Sequence, residues 1–186
     1  AGGGVVCYEQ GGAIHLLDPA TKTDTRMKIS VRTDGLARQP RWESAKGFVR
    51  GGRPSPQGQR AVFEVRGEIV TVPREHGDAR NLSNSPGAND RDPVWSPDGR
   101  KVAWLTDASG EYRLRVVDQR GREAPKDYDL KGAGFYHEPQ WSPDGKRVLF
   151  TDRANRIACV TLEGGEVTTV SENSGTLGTW GPGASW

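Results

Sequence analysis

A five-residue sequence, Trp-Ser-Pro-Asp-Gly, occurs at residues 95–99 and again at residues 141–145, and a degraded copy, Pro-Ser-Pro-Gln-Gly, occupies residues 54–58. The Ser-Pro pairs of the three copies begin at residues 55, 96 and 142. A period of about 40–50 residues is typical of a β-propeller, in which each repeat forms one blade. The spacing therefore predicts an all-β fold built from four-stranded antiparallel blades.

The repeated pentapeptide has the composition of a tight turn. Pro presets φ at the first corner, Asp suits the second corner, and Gly takes the left-handed conformation before the next strand. The Trp before the turn offers a large apolar ring for packing between neighbouring blades. We assign turn and blade-packing roles to the ten residues of the full copies: Trp95, Ser96, Pro97, Asp98, Gly99, Trp141, Ser142, Pro143, Asp144 and Gly145.

Alignment on this turn predicts the strands of each repeat. In the third and fourth repeats they are expected at residues 92–96, 101–106, 112–118, 126–130, 138–142, 147–151, 156–162 and 167–170. The second repeat predicts strands after an irregular lead-in, at residues 60–65, 68–72 and 79–82. The first repeat begins at the position of a second strand, with strands expected at residues 5–9, 13–18 and 26–30.

These strands predict one propeller module over residues 1–186, with about four blades, at residues 5–30, 40–83, 92–131 and 138–172. The first blade lacks a first strand, whereas residues 181–186 match the end of one. An open fan of four blades would expose apolar flanks that invite association. We therefore expect an incomplete ring or a ring completed by oligomerisation, and we favour self-association through the chain ends.

Composition narrows the classes of partner. The net charge is +2, from 26 basic and 24 acidic residues, which gives no reason to expect nucleic acid as a partner. No apolar run is long enough to cross a membrane, so we expect no membrane partner.

Cys7 and Cys159 lie in strand-like apolar runs and are expected to be buried free thiols. Two cysteines fit a cytoplasmic protein, and a periplasmic location stays open if a signal peptide was removed.

Segments outside the pentapeptide carry a resemblance to a known family. The run 66–73, beginning Arg-Gly-Glu-Ile, is followed by Arg-Asn-Leu-Ser at 80–83 and Arg-Asp-Pro-Val-Trp at 91–95. Together these segments resemble the six-bladed N-terminal propeller of tricorn protease, over about four blades between residues 5 and 170. The pentapeptide alone is shared with TolB and with the propellers of many hydrolases.

The resemblance implies a non-catalytic propeller module that guides or binds peptides or protein partners. Tricorn-like proteins are large peptidases, in which the propellers are thought to gate the passage of peptides to a separate serine-protease core. No residue here matches the family's catalytic motif, so we expect this chain not to be an enzyme, although the parent protein would be a tricorn-like serine peptidase. A TolB-like interaction scaffold and a propeller fragment of another hydrolase remain as alternatives.

The candidate binding residues are those expected near a central channel: Arg66, Arg91, His137 and Glu138. The run Asp90-Arg91-Asp92 favours an ion pair over a calcium site. The three histidines show no pair at metal-ligand spacing, and there is no recognisable nucleophile–base pair or phosphate-binding loop. We therefore expect no catalytic residue, no metal and no cofactor.

Overall fold

The computed structural model describes residues 4–30, 32, 35, 39, 44–131 and 134–171, which contain strands and turns and no helix. Contacts divide the chain into two compact units, residues 1–46 and residues 47–186. The first unit holds a three-stranded antiparallel sheet, and the second holds three sheets of four antiparallel strands each. The prediction of an all-β fold with four-stranded blades is confirmed.

Each sheet is a meander, in which consecutive strands pair with one another. The first sheet contains β1 (Val6–Gln10), β2 (Ala13–Asp18) and β3 (Thr23–Arg26). The second contains β4 (Val49–Pro54), β5 (Arg60–Val65), β6 (Glu68–Pro73) and β7 (Arg80–Asn81). The third contains β8 (Arg91–Trp95), β9 (Lys101–Thr106), β10 (Arg113–Asp118) and β11 (Lys126–Tyr128). The fourth contains β12 (Tyr136–Trp141), β13 (Arg147–Asp152), β14 (Ile157–Thr161) and β15 (Val167–Ser171).

Three details differ from the sequence-based expectations. Strand β3 ends at Arg26, where a strand over 26–30 was expected, because the Asp18 carboxylate accepts the Ala20 N–H at 2.8 Å and closes the preceding turn early. Strand β4 occupies part of the supposed irregular lead-in; all six of its residues are exposed, so it shows no apolar alternation. Cys7 is exposed in edge strand β1, whereas Cys159 is buried as expected. The candidate strand at residues 181–186 lies outside the described residues.

The core of the larger unit lies between its sheets. Strand β9 directs Ala103 and Leu105 into a cluster shared with the fourth sheet, where Phe150 is 1% exposed. The alternate residues Val102 and Trp104 enter a second cluster shared with the second sheet. Strand β9 is therefore apolar on both faces because the third sheet is covered on both sides, as the sequence predicts.

Candidate functional site

The Ser-Pro-Asp-Gly turns join the first and second strands of the third and fourth sheets. Ser96 Oγ donates to Asp98 Oδ1 at 2.6 Å and accepts the Lys101 N–H at 2.9 Å. Asp98 Oδ1 also accepts the Arg100 N–H at 3.0 Å. The second copy, at residues 142–147, repeats the three bonds at the same distances. The hydroxyl and carboxylate together therefore tie the two strand ends to the turn.

The degraded copy keeps the backbone bond of the turn and redirects one side chain. The Gly58 N–H donates to the Ser55 carbonyl at 2.8 Å, as the matching glycines do in the full copies. Gln57 stands where the other turns have aspartate, and its Nε2 donates to the Asp98 carbonyl of the next sheet at 3.1 Å. The change from aspartate to glutamine thus replaces a bond within the turn by a bond between sheets.

The hydrogen bonds also set the ionisation of the turn carboxylates. The Ser142 hydroxyl and the Lys146 N–H stabilise the charged form and hold the pKa of Asp144 below its ordinary value. Burial alone would raise the pKa of Asp98, but the bonds from Ser96 and Arg100 outweigh it and the pKa is lowered. Both carboxylates therefore bind protons less readily in the folded chain than in the unfolded chain.

Stability is expected to fall in acid because of these turns. A carboxylate with a lowered pKa stabilises the fold above its unfolded pKa, about 4, and this contribution disappears as the pH falls through the folded pKa. The double variant Asp98→Asn, Asp144→Asn should show a shallower loss of melting temperature below about pH 4 than the parent. Glu163→Gln, a change at an exposed residue, serves as control. Parallel pH profiles for the parent and the double variant would contradict the assignment.

Each first strand of the larger unit contains a left-handed residue at the same position before its turn. Gly51, Asp92 and Glu138 have φ of 50°, 55° and 51°, and the strand pairing shifts register at each of them. Positive φ is uncommon for residues other than glycine, and β-bulges of this kind re-aim side chains. The bulges thus lie between the start of each first strand, where Arg50, Arg91 and His137 stand, and the end that leads into the turn.

Arg91 lies at the start of β8 between two aromatic rings. Its guanidinium is 4.6 Å from the centre of the Tyr112 ring and 4.3 Å from that of Phe135. Nη1 pairs with the Asp92 carboxylate at 2.7 Å, and Nη2 donates to the Tyr136 carbonyl of the fourth sheet at 2.5 Å. The expected ion pair within 90–92 is present, and Arg91 also joins two sheets.

The channel candidates fall into two groups. His137 meets the Phe135 ring edge-on, with 4.8 Å between ring centres, so it belongs with Arg91. We call this group the Phe135 cluster, formed by Arg91, Tyr112, Phe135 and His137. Glu138 is exposed at the bulge of β12. Arg66 lies elsewhere, in the turn between β5 and β6, so the structure does not bring all four candidates together.

Arg66 belongs to a second group, the Phe48 cluster, formed by Phe48, Arg50, Glu64 and Arg66. Its guanidinium carbon is 4.8 Å from the centre of the Phe48 ring. The four side chains line a cavity of about 200 Å³ with Asn89 at its edge. Glu64 Oε2 accepts the Asp92 N–H at 3.3 Å, which connects this cluster to the third sheet.

The sequence analysis did not identify either aromatic residue. Phe48 and Phe135 each stand seven positions before the serine of their turn, and each contacts an arginine. Extending the repeat alignment further upstream of the turn would have found them.

A groove runs across the apolar ends of the first strands. Its volume is about 480 Å³, and its apolar lining is formed by four prolines, two tryptophans and a valine: Pro54, Pro56, Pro97, Pro139, Trp95, Trp141 and Val94. Trp95 Nε1 donates to the Arg53 carbonyl at 3.0 Å, and Trp141 Nε1 donates to the Val94 carbonyl at 3.3 Å. Each indole therefore bonds to the first strand of the preceding sheet. We call this surface the proline–tryptophan groove.

Neither a group of metal ligands nor a membrane-spanning helix is found in the described part of the chain. Within those ranges no three His, Cys, Asp or Glu side chains are close enough to hold a metal ion. The same residues include no helix with the length and apolar character needed to cross a bilayer.

Two crystal structures of known proteins superpose on this chain. The crystal structure of tricorn protease superposes with a TM-score of 0.62 at 17% identity, covering 92% of this chain and 16% of that one. TolB from Acinetobacter baumannii superposes with a TM-score of 0.56 at 19% identity, covering 92% of this chain and 41% of TolB. The fold is that of a β-propeller.

A sequence relative agrees with the structural neighbours. A tricorn protease homologue of Streptomyces coelicolor is 26% identical over 113 residues, which is 60% of this chain and 10% of the relative. No protein-family profile matches the chain. The resemblance to tricorn and TolB propellers is confirmed, and the chain spans about a tenth of the length of its curated relative.

Proposed function

We propose that this chain is a non-catalytic β-propeller module that binds peptides at the Phe48 cluster. The observation that carries the proposal is the cavity of about 200 Å³ in which two arginines, an aromatic ring and a single carboxylate converge. Arginine presents a fork of donors that suits carboxylates, and an aromatic face adds apolar contact area. Two guanidinium groups against one Glu64 carboxylate favour a peptide that carries acidic side chains.

The neighbouring Phe135 cluster extends the proposed surface onto the next sheet. Arg91 is held by two rings, a carboxylate and a backbone carbonyl, so it is a preorganised support rather than a mobile contact. Glu138 is exposed, whereas the Arg91 side chain is 13% exposed. Glu138, with His137 beside it, would contact the part of the peptide beyond the cavity.

The environment of the histidines supports a module without chemistry of its own. His15 Nδ1 lies 2.9 Å from Asp24 Oδ2, and its ring stacks on Tyr8. His137 meets the Phe135 ring edge-on. A serine-type hydrolase places its nucleophilic hydroxyl within hydrogen-bond reach of the base, whereas the contacts described for His15 and His137 are a carboxylate and aromatic rings. On this proposal any peptidase activity belongs to a parent protein that resembles tricorn protease.

Fluorescence anisotropy with two labelled peptides of equal length tests the proposal, one alternating leucine with glutamate and the other leucine with lysine. We expect the acidic peptide to bind at least about fivefold more tightly. Arg50→Ala with Arg66→Ala should weaken its binding about tenfold without changing the fold, whereas the control Arg74→Ala with Arg120→Ala should not. Unchanged affinity for the acidic peptide in the Arg50→Ala, Arg66→Ala variant would contradict the site. Turnover of a fluorogenic peptide by the purified chain would contradict the non-catalytic role.

The proline–tryptophan groove favours a second candidate, a TolB-like scaffold for a protein partner. Its apolar lining suits a protein segment better than a charged peptide. Binding that survives the arginine substitutions and is lost on Pro56→Asp would favour this scaffold over the peptide-binding module.

We also propose that the chain ends take part in self-association, since the first sheet has three strands among the described residues and residues 181–186 resemble a first strand. A cytoplasmic location remains our proposal, based on the low cysteine count, with the periplasm as the alternative.

A further inference from the structure

Two indole sockets with the same construction lie along the first strands of the larger unit. In the first socket the Arg53 carbonyl accepts the Trp95 indole N–H, and Pro54 and Pro56 line the same groove as that indole. In the second socket the Val94 carbonyl accepts the Trp141 indole N–H, and Trp95 and Pro97 line the same groove as that indole. In both sockets the acceptor carbonyl stands two residues before the serine of the turn.

The fourth sheet carries the same construction a third time. Its matching group is the Gln140 carbonyl, followed by Trp141 and by Pro143, which is exposed. A carbonyl oxygen has two lone pairs, so it can accept an indole N–H in addition to a strand partner. The tryptophans in the described ranges are Trp95, Trp104 and Trp141; the first and third fill sockets, and Trp104 Nε1 is buried without a hydrogen-bond partner. No indole of the described part of the chain therefore fills the third socket.

The sequence supplies one tryptophan with the required spacing and context. Trp186 follows Trp141 by 45 residues, close to the 46 residues between Trp95 and Trp141. Gly183 stands three residues before Trp186, where the other first strands have a left-handed residue at Gly51, Asp92 and Glu138. Glycine adopts positive φ at the lowest energetic cost. Trp180 has leucine at that position and does not fit the pattern.

We propose that the Gln140 carbonyl, Trp141 and Pro143 form a third indole socket, and that its occupant is Trp186 of this chain. The inference rests on the proposed role of residues 181–186 as a first strand. It is independent of peptide binding at the Phe48 cluster. The socket gives that strand a neighbour in the fourth sheet, to which the indole attaches it.

Hydrogen exchange of the chain over residues 1–186 with ¹⁵N-labelled tryptophan tests the socket, with each indole resonance assigned from a single Trp→Phe variant. A hydrogen-bonded indole N–H inside a socket opens only by local unfolding. We expect the Trp186 indole N–H to exchange about tenfold more slowly than the Trp180 indole N–H.

Thermal melting of the same variants gives a second readout. Trp186→Phe keeps an aromatic ring and removes the donor, so it should lower the melting temperature by about 2–4 °C, and Trp186→Ala should lower it further. Trp180→Phe and Trp42→Phe are the matched controls and should melt like the parent. Fast exchange of the Trp186 indole together with parent-like melting of both Trp186 variants would overturn the socket.

Light scattering of the full chain and of a chain ending at Asn173 separates this inference from the proposal of self-association. A monomer with a protected Trp186 indole shows that the occupant belongs to the same molecule, which supports the socket and contradicts self-association. An oligomer whose Trp186 indole loses its protection on dilution shows that a second copy of the chain supplies the indole. That result supports both the socket and self-association. An oligomer with an unprotected Trp186 keeps self-association and overturns the socket.

Discussion

Phe150→Ala should lower the free energy of unfolding by about 3–5 kcal/mol, the usual range for removing a buried phenylalanine. Phe150 is 1% exposed on β13 and packs edge-on against Tyr136, with 5.4 Å between ring centres. Its ring lies in the cluster shared by the third and fourth sheets, so alanine would leave a cavity between two sheets rather than within one. Denaturant unfolding followed by intrinsic fluorescence measures the change.

Two further variants serve as controls, one for the volume of the side chain and one for its burial. Phe150→Leu conserves most of the volume and should cost less than about 1.5 kcal/mol. Phe48→Ala removes the same side chain where it is 49% exposed and should change stability by less than about 1 kcal/mol. Equal losses for Phe150→Ala and Phe48→Ala would mean that the cluster between the sheets is wrongly placed.

Gly99→Val and Gly145→Val should each destabilise the chain by about 1–3 kcal/mol, because a β-branched residue resists the left-handed conformation. Both glycines have φ of 68°. They differ in their surroundings: a Cβ on Gly99 would collide with the Gln57 side chain, whereas a Cβ on Gly145 would approach only Pro97, at 3.9 Å. Thermal melting should therefore show the larger loss for Gly99.

The difference in melting temperature between the two valine variants measures the contact of Gln57 with the turn of the next sheet. In a Gln57→Ala background the two valine variants should become alike, since the collision and the Gln57 bond to the Asp98 carbonyl are then absent. A Cβ on Gly87 would point into open space, and the φ of this residue is not left-handed, so Gly87→Ala should be nearly neutral. Parent-like melting of both valine variants would contradict the turn geometry.

Local turn chemistry explains why much of the fold could be predicted from the sequence. The Ser-Pro-Asp-Gly turn is determined by residues within six positions of one another, and the strands of the third repeat follow from its phase. Strand β9 was recognisable because a sheet covered on both faces needs apolar residues at consecutive positions. Strand β4 was not, since its six residues are exposed and carry no periodic signal.

The candidate site was less predictable because its members meet through tertiary contacts. Arg91 and His137 are 46 residues apart and come together through Phe135, which both contact, and through the Arg91 bond to the Tyr136 carbonyl. Arg66 follows a strand of the second sheet and joins Phe48 instead. Charge and position relative to the turn identified these residues as candidates, but neither property indicates which aromatic ring each one contacts.

The indole bonds between sheets have a consequence for how such repeats can diverge. The acceptors are main-chain carbonyls, so the side chain at the acceptor position does not take part in the bond. Arg53 and Val94 have nothing chemical in common, yet both positions accept an indole. A lineage can therefore substitute this position repeatedly while adjacent blades keep their attachment, and the groove surface can acquire new binding preferences without loss of the architecture.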